Sequence, residues 1–395
     1  MKKIDVKKLY DEYVIGCYTK DDFVFVKGKG SWLESIDGKK YLDFFPGWAV
    51  SGLGHCPSEV VKAIKKQTDY LIHLPNNYYH PWQGLLAEKL SKISFGGKVF
   101  FCNSGAEANE AAIKLCRLYG RETKRYKIIS MENSFHGRTL ATVTMTGQVQ
   151  YNEPFKPLPS GFSYVPFNDF DALKKKIDEK TVAIFMELIQ GEGGINVVDK
   201  EYLHKVYKLC KERDILLVFD EVQTGFGRTG KFFAYQHFGI TPHIMTLAKT
   251  MGAGLPVGAM IAKKEIADLM VPGTHASTFG GSPLVCAGCL AVIEMIEKRR
   301  LLDRVKKYGK YLKIKLERLK EKYRIIKEIK GIGFMLGVEF KVPCKEIVKI
   351  CQKNGLLLNC THNFVLRVMP ALTVTKKEID LAIKILDRSL EEFSK

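Results

Sequence analysis

At 395 residues, 46% hydrophobic and 27% charged, the chain is long enough for two domains or for one large domain with a satellite, in the ordinary balance of a globular protein. No apolar stretch approaches the roughly 20 residues needed to cross a bilayer, and the basic start MKKIDVKKLYDEY is followed by no apolar run, so the expectation is no membrane span, no secretory signal and a cytoplasmic location. The formal net charge of +19 raises nucleic acid as a partner, but the excess is mostly lysine on helical patterns, with no arginine–aromatic interleaving and no zinc-finger spacing, so none is expected.

The segment through about Gly47 reads as short strands with turns at Gly28–Gly30 and Asp37–Gly38. Six apolar runs follow, at 98–102, 126–130, 182–187, 215–220, 243–248 and 257–262, with amphipathic helical patterns between them. Strands separated by helices predict βαβ units and a mostly parallel sheet. In KKYGKYLKIKLERLKEKYRIIKEIK, the residues Leu312, Ile314, Leu316 and Leu319 recur with rough helical spacing beneath a solvated lysine face. GIGFMLGVEF and FVLRVMP then read as strands before a final helix. The expected division is an N-terminal part of a small domain at 1–50, a large α/β domain at 51–290, and the C-terminal part of the small domain at 291–395.

Ten cysteines in a chain of this kind predict reduced thiols. Cys286 and Cys289 form a C-x-x-C, but SPLVCAGCLAVIEMI reads as a buried helix and no second pair lies near, so no metal is expected.

The chemistry concentrates between Ile215 and Gly258. The buried strand ILLVFD ends in Asp220, facing the crevice where α/β folds bind ligands. Lys249 follows among short apolar residues and glycines, where an amine sheds its proton readily and becomes a nucleophile. A carboxylate for a pyridinium nitrogen and a lysine for a Schiff base are the two groups that pyridoxal phosphate requires. Phe101 to Ala108 ends a strand and opens a helix, so Ser104 and Gly105 sit where free N–H groups favour a phosphate; a plain N-cap would look the same. In FHGRT, Phe135 offers a ring to stack on a planar cofactor and Arg138 a two-bond fork for a carboxylate. GFGRTG at 225–230 matches the dinucleotide pattern literally, but Asp220 to Thr224 intervene before its first glycine, and a flexible loop is the expectation there.

NSGAEANEAAIK, FHGRTLAT, IQGEGGI, LLVFDEVQTGFGRTG, AKTMGAGLPVGAM and STFGGSPLVCA stand in an order and spacing that resembles the class III aminotransferases over nearly the whole chain. The resemblance implies a fold-type I pyridoxal-phosphate enzyme acting as a homodimer, with active sites at the subunit interface. It implies that Lys249 carries the cofactor and shuttles the proton, that Asp220 pairs with the ring nitrogen, and that Phe135 stacks on the ring. Val222 and Gln223 would continue the contacting run. Gly105 and Ala106, with Ser104 beside them, would bind the phosphate together with Thr278 of the partner subunit, next to a substrate-facing Ser277. Arg138 would hold the α-carboxylate of the amine substrate, while Glu192 neutralises Arg367 until glutamate arrives.

The implied reaction is transamination of N2-acetylornithine with 2-oxoglutarate, in arginine biosynthesis. N-succinyl-diaminopimelate, ornithine, 4-aminobutyrate and lysine-pathway amines are the alternatives within the class. A nicotinamide oxidoreductase and a basic nucleic-acid-binding protein are the alternatives outside it. Trp32 falls where the ornithine branch has a tyrosine for a free α-amine, which favours an acylated substrate. Leu188, Phe279 and Trp48 depart from the family's usual residues around the pocket.

Overall fold

Seven short runs, each able to bury side chains on both faces, build the central sheet of the computed structural model, which describes residues 5–395. They are β1 (Lys98–Cys102), β2 (Lys127–Met131), β3 (Phe162–Val165), β4 (Thr181–Glu187), β5 (Leu216–Asp220), β6 (Ile244–Leu247) and β7 (Gly258–Ala262). Their spatial order is β1-β7-β6-β5-β4-β2-β3. The strands from β6 through β3 run parallel, whereas β7 is antiparallel to both of its neighbours. Six of the seven match the apolar runs of the sequence. β3, an edge strand only half-buried over most of its length, is FSYV, where Ser163 and Tyr164 interrupt the apolar run that β1 keeps at the opposite edge.

Side-chain alternation supplies two cores. Ile128, Phe185, Val218 and Ile244 face helix α1 (Gly105–Tyr119), which contributes Ala111, Ala112, Ile113 and Leu115. Ile129, Ile184, Leu217, Phe219 and Met245 face the opposite way, onto a cluster that includes Leu203 and Val206 of α2 (Lys200–Glu212). Each such large side chain contributes roughly 1.5–3 kcal/mol by leaving water. The same pairing brings the carboxyl ends of β4 and β5 level, with Glu187 opposite Asp220.

Both ends of the chain meet beside this sheet. Phe25–Lys29, Trp32–Ser35 and Lys40–Asp43 form an antiparallel meander, to which Leu356–Leu357 adds in parallel. Left-handed Gly30 and Gly38 make its two turns, where the sequence places them. After α3 (Leu301–Lys322), a second sheet has the order β8-β9-β11-β10, from β8 (Ile326–Ile332), β9 (Met335–Phe340), β10 (Asn359–Thr361) and β11 (Val365–Val368). GIGFMLGVEF is therefore not one strand: Gly333, with φ +62°, turns it into the β8–β9 hairpin. On α3, Leu312, Leu316 and Leu319 are buried, but Ile314 is exposed, two positions out of step with the stripe.

Two further expectations are overturned. The 225–230 loop is not flexible: Arg228 within it is fully buried, and its Nη1 donates to the carbonyls of Phe334, Met369 and Pro370. The thiols are not all free either, because Cys344 and Cys360 are joined as a disulfide. Cys286 and Cys289 are buried free thiols in the helix Pro283–Lys298, as their apolar context predicts. Among the described residues no helix is long and apolar enough to cross a membrane.

Candidate active site

A cleft of about 450 Å³ opens where β4 and β5 end and α1 begins. Its wall is built from residues that the backbone cannot place elsewhere. Ser104 caps α1, its hydroxyl accepting from the Glu107 N–H at 3.1 Å. The N–H groups of Gly105 and Ala106, in the same first turn, have no partner within the helix and edge the cleft. A Cβ on Gly105 would come within 2.9 Å of Val222, so a side chain there would meet the opposite wall.

Asp220 is buried at the cleft floor and accepts on both oxygens. His136 Nδ1 lies 2.8 Å and Asn109 Nδ2 2.9 Å from Oδ2, while the Val222 N–H reaches Oδ1 at 3.0 Å. With a carboxylate there, the imidazole proton belongs on Nδ1, leaving Nε2 buried without a protein partner. Asn109 also donates to the His136 carbonyl at 2.6 Å, so the three residues lock one another. Neither Asn109 nor His136 was singled out from the sequence. The available signal was Asn109 sitting one helical turn beyond Gly105, on the face toward β5.

Glu187 bridges two loops by accepting from the Phe135 N–H and the Gly191 N–H, each at 3.1 Å. Burial pushes its carboxyl up to about 7, opposed by His136 and reinforced by Asp220. Lys249 opens a single 3-10 turn with φ +47°, a left-handed conformation uncommon for a side-chain-bearing residue and characteristic of functional sites. Desolvation lowers the proton affinity of its amine, against the pull of Glu192, Asp220 and Glu187. Thr250 fixes the turn by donating to the Ala49 carbonyl at 2.7 Å. Gln223 points at Gly191 and donates weakly, at 3.4 Å, to the Trp48 carbonyl; its Oε1 has no protein partner.

Phe135, Arg138 and Glu192 also line this cleft. The Arg138 guanidinium lies 3.9 Å above the Tyr151 ring and 5.4 Å from that of Phe135, so its neighbours are aromatic rather than acidic. Arg367 is held behind Glu192, their charged atoms 2.5 Å apart. Ser277 and Thr278 do not line the cleft. Ser277 Oγ accepts from Asn103 at 3.3 Å, and Thr278 is exposed. Trp32 does not reach the cleft either: its indole donates to Glu378 at 3.0 Å, and its ring lines a hollow with Lys27 and Gly28. Trp48 is the nearer aromatic, half-exposed, left-handed at φ +54° and edge-on to Phe45.

An amine of lowered basicity, a carboxylate held by three donors, an aromatic face and an unfilled helix N-terminus therefore meet in one cleft. The model for "Aminotransferase class-III" matches residues 17–390. The chain belongs to the class III aminotransferases. It is 50% identical to the acetylornithine aminotransferase of Methanocaldococcus jannaschii, over 99% of this chain and 98% of that one. It is also 50% identical to the acetylornithine aminotransferase of Caldanaerobacter subterraneus subsp. tengcongensis, over 96% and 98%. The ornithine aminotransferase of Toxoplasma gondii, a structure described as having partial occupancy of PLP at its active site, superposes with a TM-score of 0.94 at 32% identity, over 98% of this chain and 95% of that one. The chain is a pyridoxal-phosphate-dependent enzyme of fold type I, and the cleft residues fit that cofactor. Asp220 with its three donors, the Lys249 amine and the free N–H groups of Gly105 and Ala106 are the chemistry that such a group would need, and all of them line the cleft.

Proposed function

We propose that this aminotransferase converts N2-acetylornithine and 2-oxoglutarate to N-acetylglutamate 5-semialdehyde and glutamate, a step of arginine biosynthesis. The pair of unlike arginines carries the proposal. Among the described residues no acid pairs with Arg138, which leaves it available to a carboxylate in both half-reactions, while Arg367 is covered by Glu192 and suits a dicarboxylate that displaces it. The acetylornithine aminotransferases at 50% identity support the same substrate.

Pyridoxal phosphate, when bound, supplies a carbonyl that condenses with primary amines and a ring that takes up charge from the reacting carbon. The chain supplies the rest. Lys249 Nζ would hold the cofactor and would move the proton at the substrate carbon; its lowered basicity leaves the amine free to accept one. Asp220, fixed by His136 and Asn109, would hold the ring nitrogen and stabilise its positive charge. Phe135 would stack on the ring, with Val222 and Gln223 in contact with it from the cleft wall. Ser104, Gly105 and Ala106 receive the phosphate at the positive end of α1.

We further propose a cytoplasmic homodimer in which Thr278 of each subunit completes the phosphate site of the other, with Ser277 facing the substrate. The exposed Tyr70, Ile72, Tyr78, Tyr79 and Phe279 support a covered surface near that segment. A small domain of 1–50 with 291–395 beside a large domain of 51–290 is our division of the chain, supported by Leu356–Leu357 joining the N-terminal meander. Residues 1–4 of that division lie outside the described residues.

The test is a panel of ω-amines with 2-oxoglutarate. N2-acetylornithine is expected to give the highest kcat/KM; a preference for ornithine, 4-aminobutyrate or N-succinyl-diaminopimelate would replace the substrate while leaving the reaction class intact.

A further inference from the structure

Arg367 is 1% exposed on the central part of the second sheet, so every N–H it carries needs a partner inside the protein or in the cleft. Its direct cross-strand neighbour on β10 is Asn359. The Asn359 Oδ1 accepts from Arg367 Nε at 2.9 Å and from Nη2 at 2.5 Å, occupying one whole edge of the guanidinium. The opposite corner, Nη1, goes to Glu192 and to the Gly191 carbonyl at 3.2 Å, and the plane rests 4.5 Å from the Phe45 centroid. β10 also grips the other partner: Thr361 Oγ1 donates to the Glu192 carbonyl at 2.6 Å.

We infer that Asn359 is a positioning residue that sets the dicarboxylate specificity of this enzyme by fixing which edge of Arg367 meets the cleft. The inference rests on the two-arginine reading above. A buried guanidinium offers two edges to a carboxylate fork. Asn359 saturates the Nε edge with a neutral acceptor, which holds the plane without cancelling its charge. Glu192 holds Nη1 alone, so its displacement frees an Nη1 N–H which, with the second N–H of Nη2, is the edge left for a carboxylate while Asn359 keeps the Nε edge occupied. An acid at position 359 would itself make the two-bond pair and hold Arg367 neutralised throughout the cycle.

The experiment measures each half-reaction of the holoenzyme in single turnover, with Asn359→Asp and Asn359→Ala. Asn359→Asp is expected to raise the apparent Kd of glutamate and 2-oxoglutarate by about tenfold or more, the scale of losing one charge-assisted fork, with the amine half-reaction within about twofold. Asn359→Ala should weaken the same two ligands by a smaller factor, recovering its rate at saturation. Glu192→Gln should tighten the dicarboxylates in the parent and leave them unchanged in the Asn359→Asp background, a coupling that a merely structural asparagine would not produce. Unaltered dicarboxylate binding in both position-359 variants, or equal damage to both half-reactions, would overturn the inference. The glutamate half-reaction runs without any ω-amine, so it tests Asn359 even if N2-acetylornithine proves to be the wrong amine. If Arg367→Lys spares glutamate, the two-arginine reading fails by itself.

Discussion

The two arginines of the cleft carry the same charge and are kept in opposite ways. Arg138 sits exposed on the loop after β2, against the faces of Tyr151 and Phe135. Arg367 is buried in a strand, with one acid, one amide, one carbonyl and one ring around it. Aromatic faces attract a cation without neutralising it, so Arg138 stays ready for any carboxylate. A buried cation without a counter-charge is costly, so Arg367 has Glu192, whose side chain retains some exposure toward the cleft. Under the proposed reaction this asymmetry lets one cleft accept a monocarboxylate amine and a dicarboxylate in turn. A permanently open second arginine would disfavour the amine substrate, and a permanently paired one would disfavour glutamate.

The largest effects fall where the two half-reactions share their chemistry, and they define the baseline for the comparison. Lys249→Ala is expected to abolish turnover with both substrates, the proton transfer alone being worth roughly 10²–10⁴-fold, in a protein that still elutes as the parent does. A cofactor adduct mapped by peptide mass to another lysine would end the assignment. Asp220→Asn should retain the cofactor and lose roughly 10²–10³-fold in kcat, as for removal of a preorganised charge partner. It also turns an acceptor toward His136 and Asn109 into a donor, so its visible spectrum should shift. A near-parental rate would mean that some other acid faces the ring nitrogen.

Lysine substitutions separate the arginines themselves. Arg138→Lys should weaken N2-acetylornithine and glutamate together, by about 10–100-fold for the loss of a planar fork. Arg367→Lys should weaken only glutamate and 2-oxoglutarate. Half-reaction kinetics read this directly: equal damage to both halves from Arg367→Lys would make that residue structural and leave Arg138 as the sole carboxylate site.

Much of this arrangement is written locally in the chain. Strands β2 and β4–β7 are legible because burial on both faces leaves continuous apolar runs, β1 because its edge strand still carries the apolar run KVFFC, and Asp220 and Lys249 because each ends such a run or sits among glycines. Arg367 and Glu192 are 175 residues apart and have no local signal for their pairing, which came only from the resemblance to a family. Asn359, His136 and Asn109 went unnoticed for the same reason: each matters through a partner that only the fold brings near. Trp32 was misplaced because alignment fixes a position along the meander and not the direction of a ring, which turns to Glu378. The glycines at 225–230 looked like flexibility, yet they give the chain the left-handed turns that let buried Arg228 reach three carbonyls.

A smaller effect belongs to Glu192. Glu192→Gln removes the counter-charge but keeps an acceptor near Arg367, so glutamate should bind several-fold more tightly and N2-acetylornithine should be disfavoured by a similar factor, within the roughly 0.5–1.5 kcal/mol of an ordinary hydrogen-bond change. Competition between the two substrates at equal concentration measures it. An unchanged ratio would show that the cover on Arg367 plays no part in choosing between them.

The smallest effect on turnover belongs to Glu187, which ties the loop of Phe135 to the loop of Glu192 and so joins the two ends of the cleft. Its folded-state pKa is raised, chiefly by burial, to about 7 from an ordinary value of 4.5. Between those values the folded apoenzyme keeps a proton that the unfolded chain has released, so this group's contribution to stability is present below the window and falls as pH rises through it. Glu221 is raised to about 7 by the same cause, outside the cleft, and adds to the same slope. Glu187→Gln should therefore flatten part of the decline in urea midpoint between the acidic and neutral ends of that window, Glu221 supplying what is left, while kcat falls only a few-fold because the amide oxygen keeps one of the two N–H donors and only the other loses its acceptor. An unaltered slope would mean that Glu187 is ionised in the folded protein throughout, and that its two N–H donors hold it charged against the cost of burial.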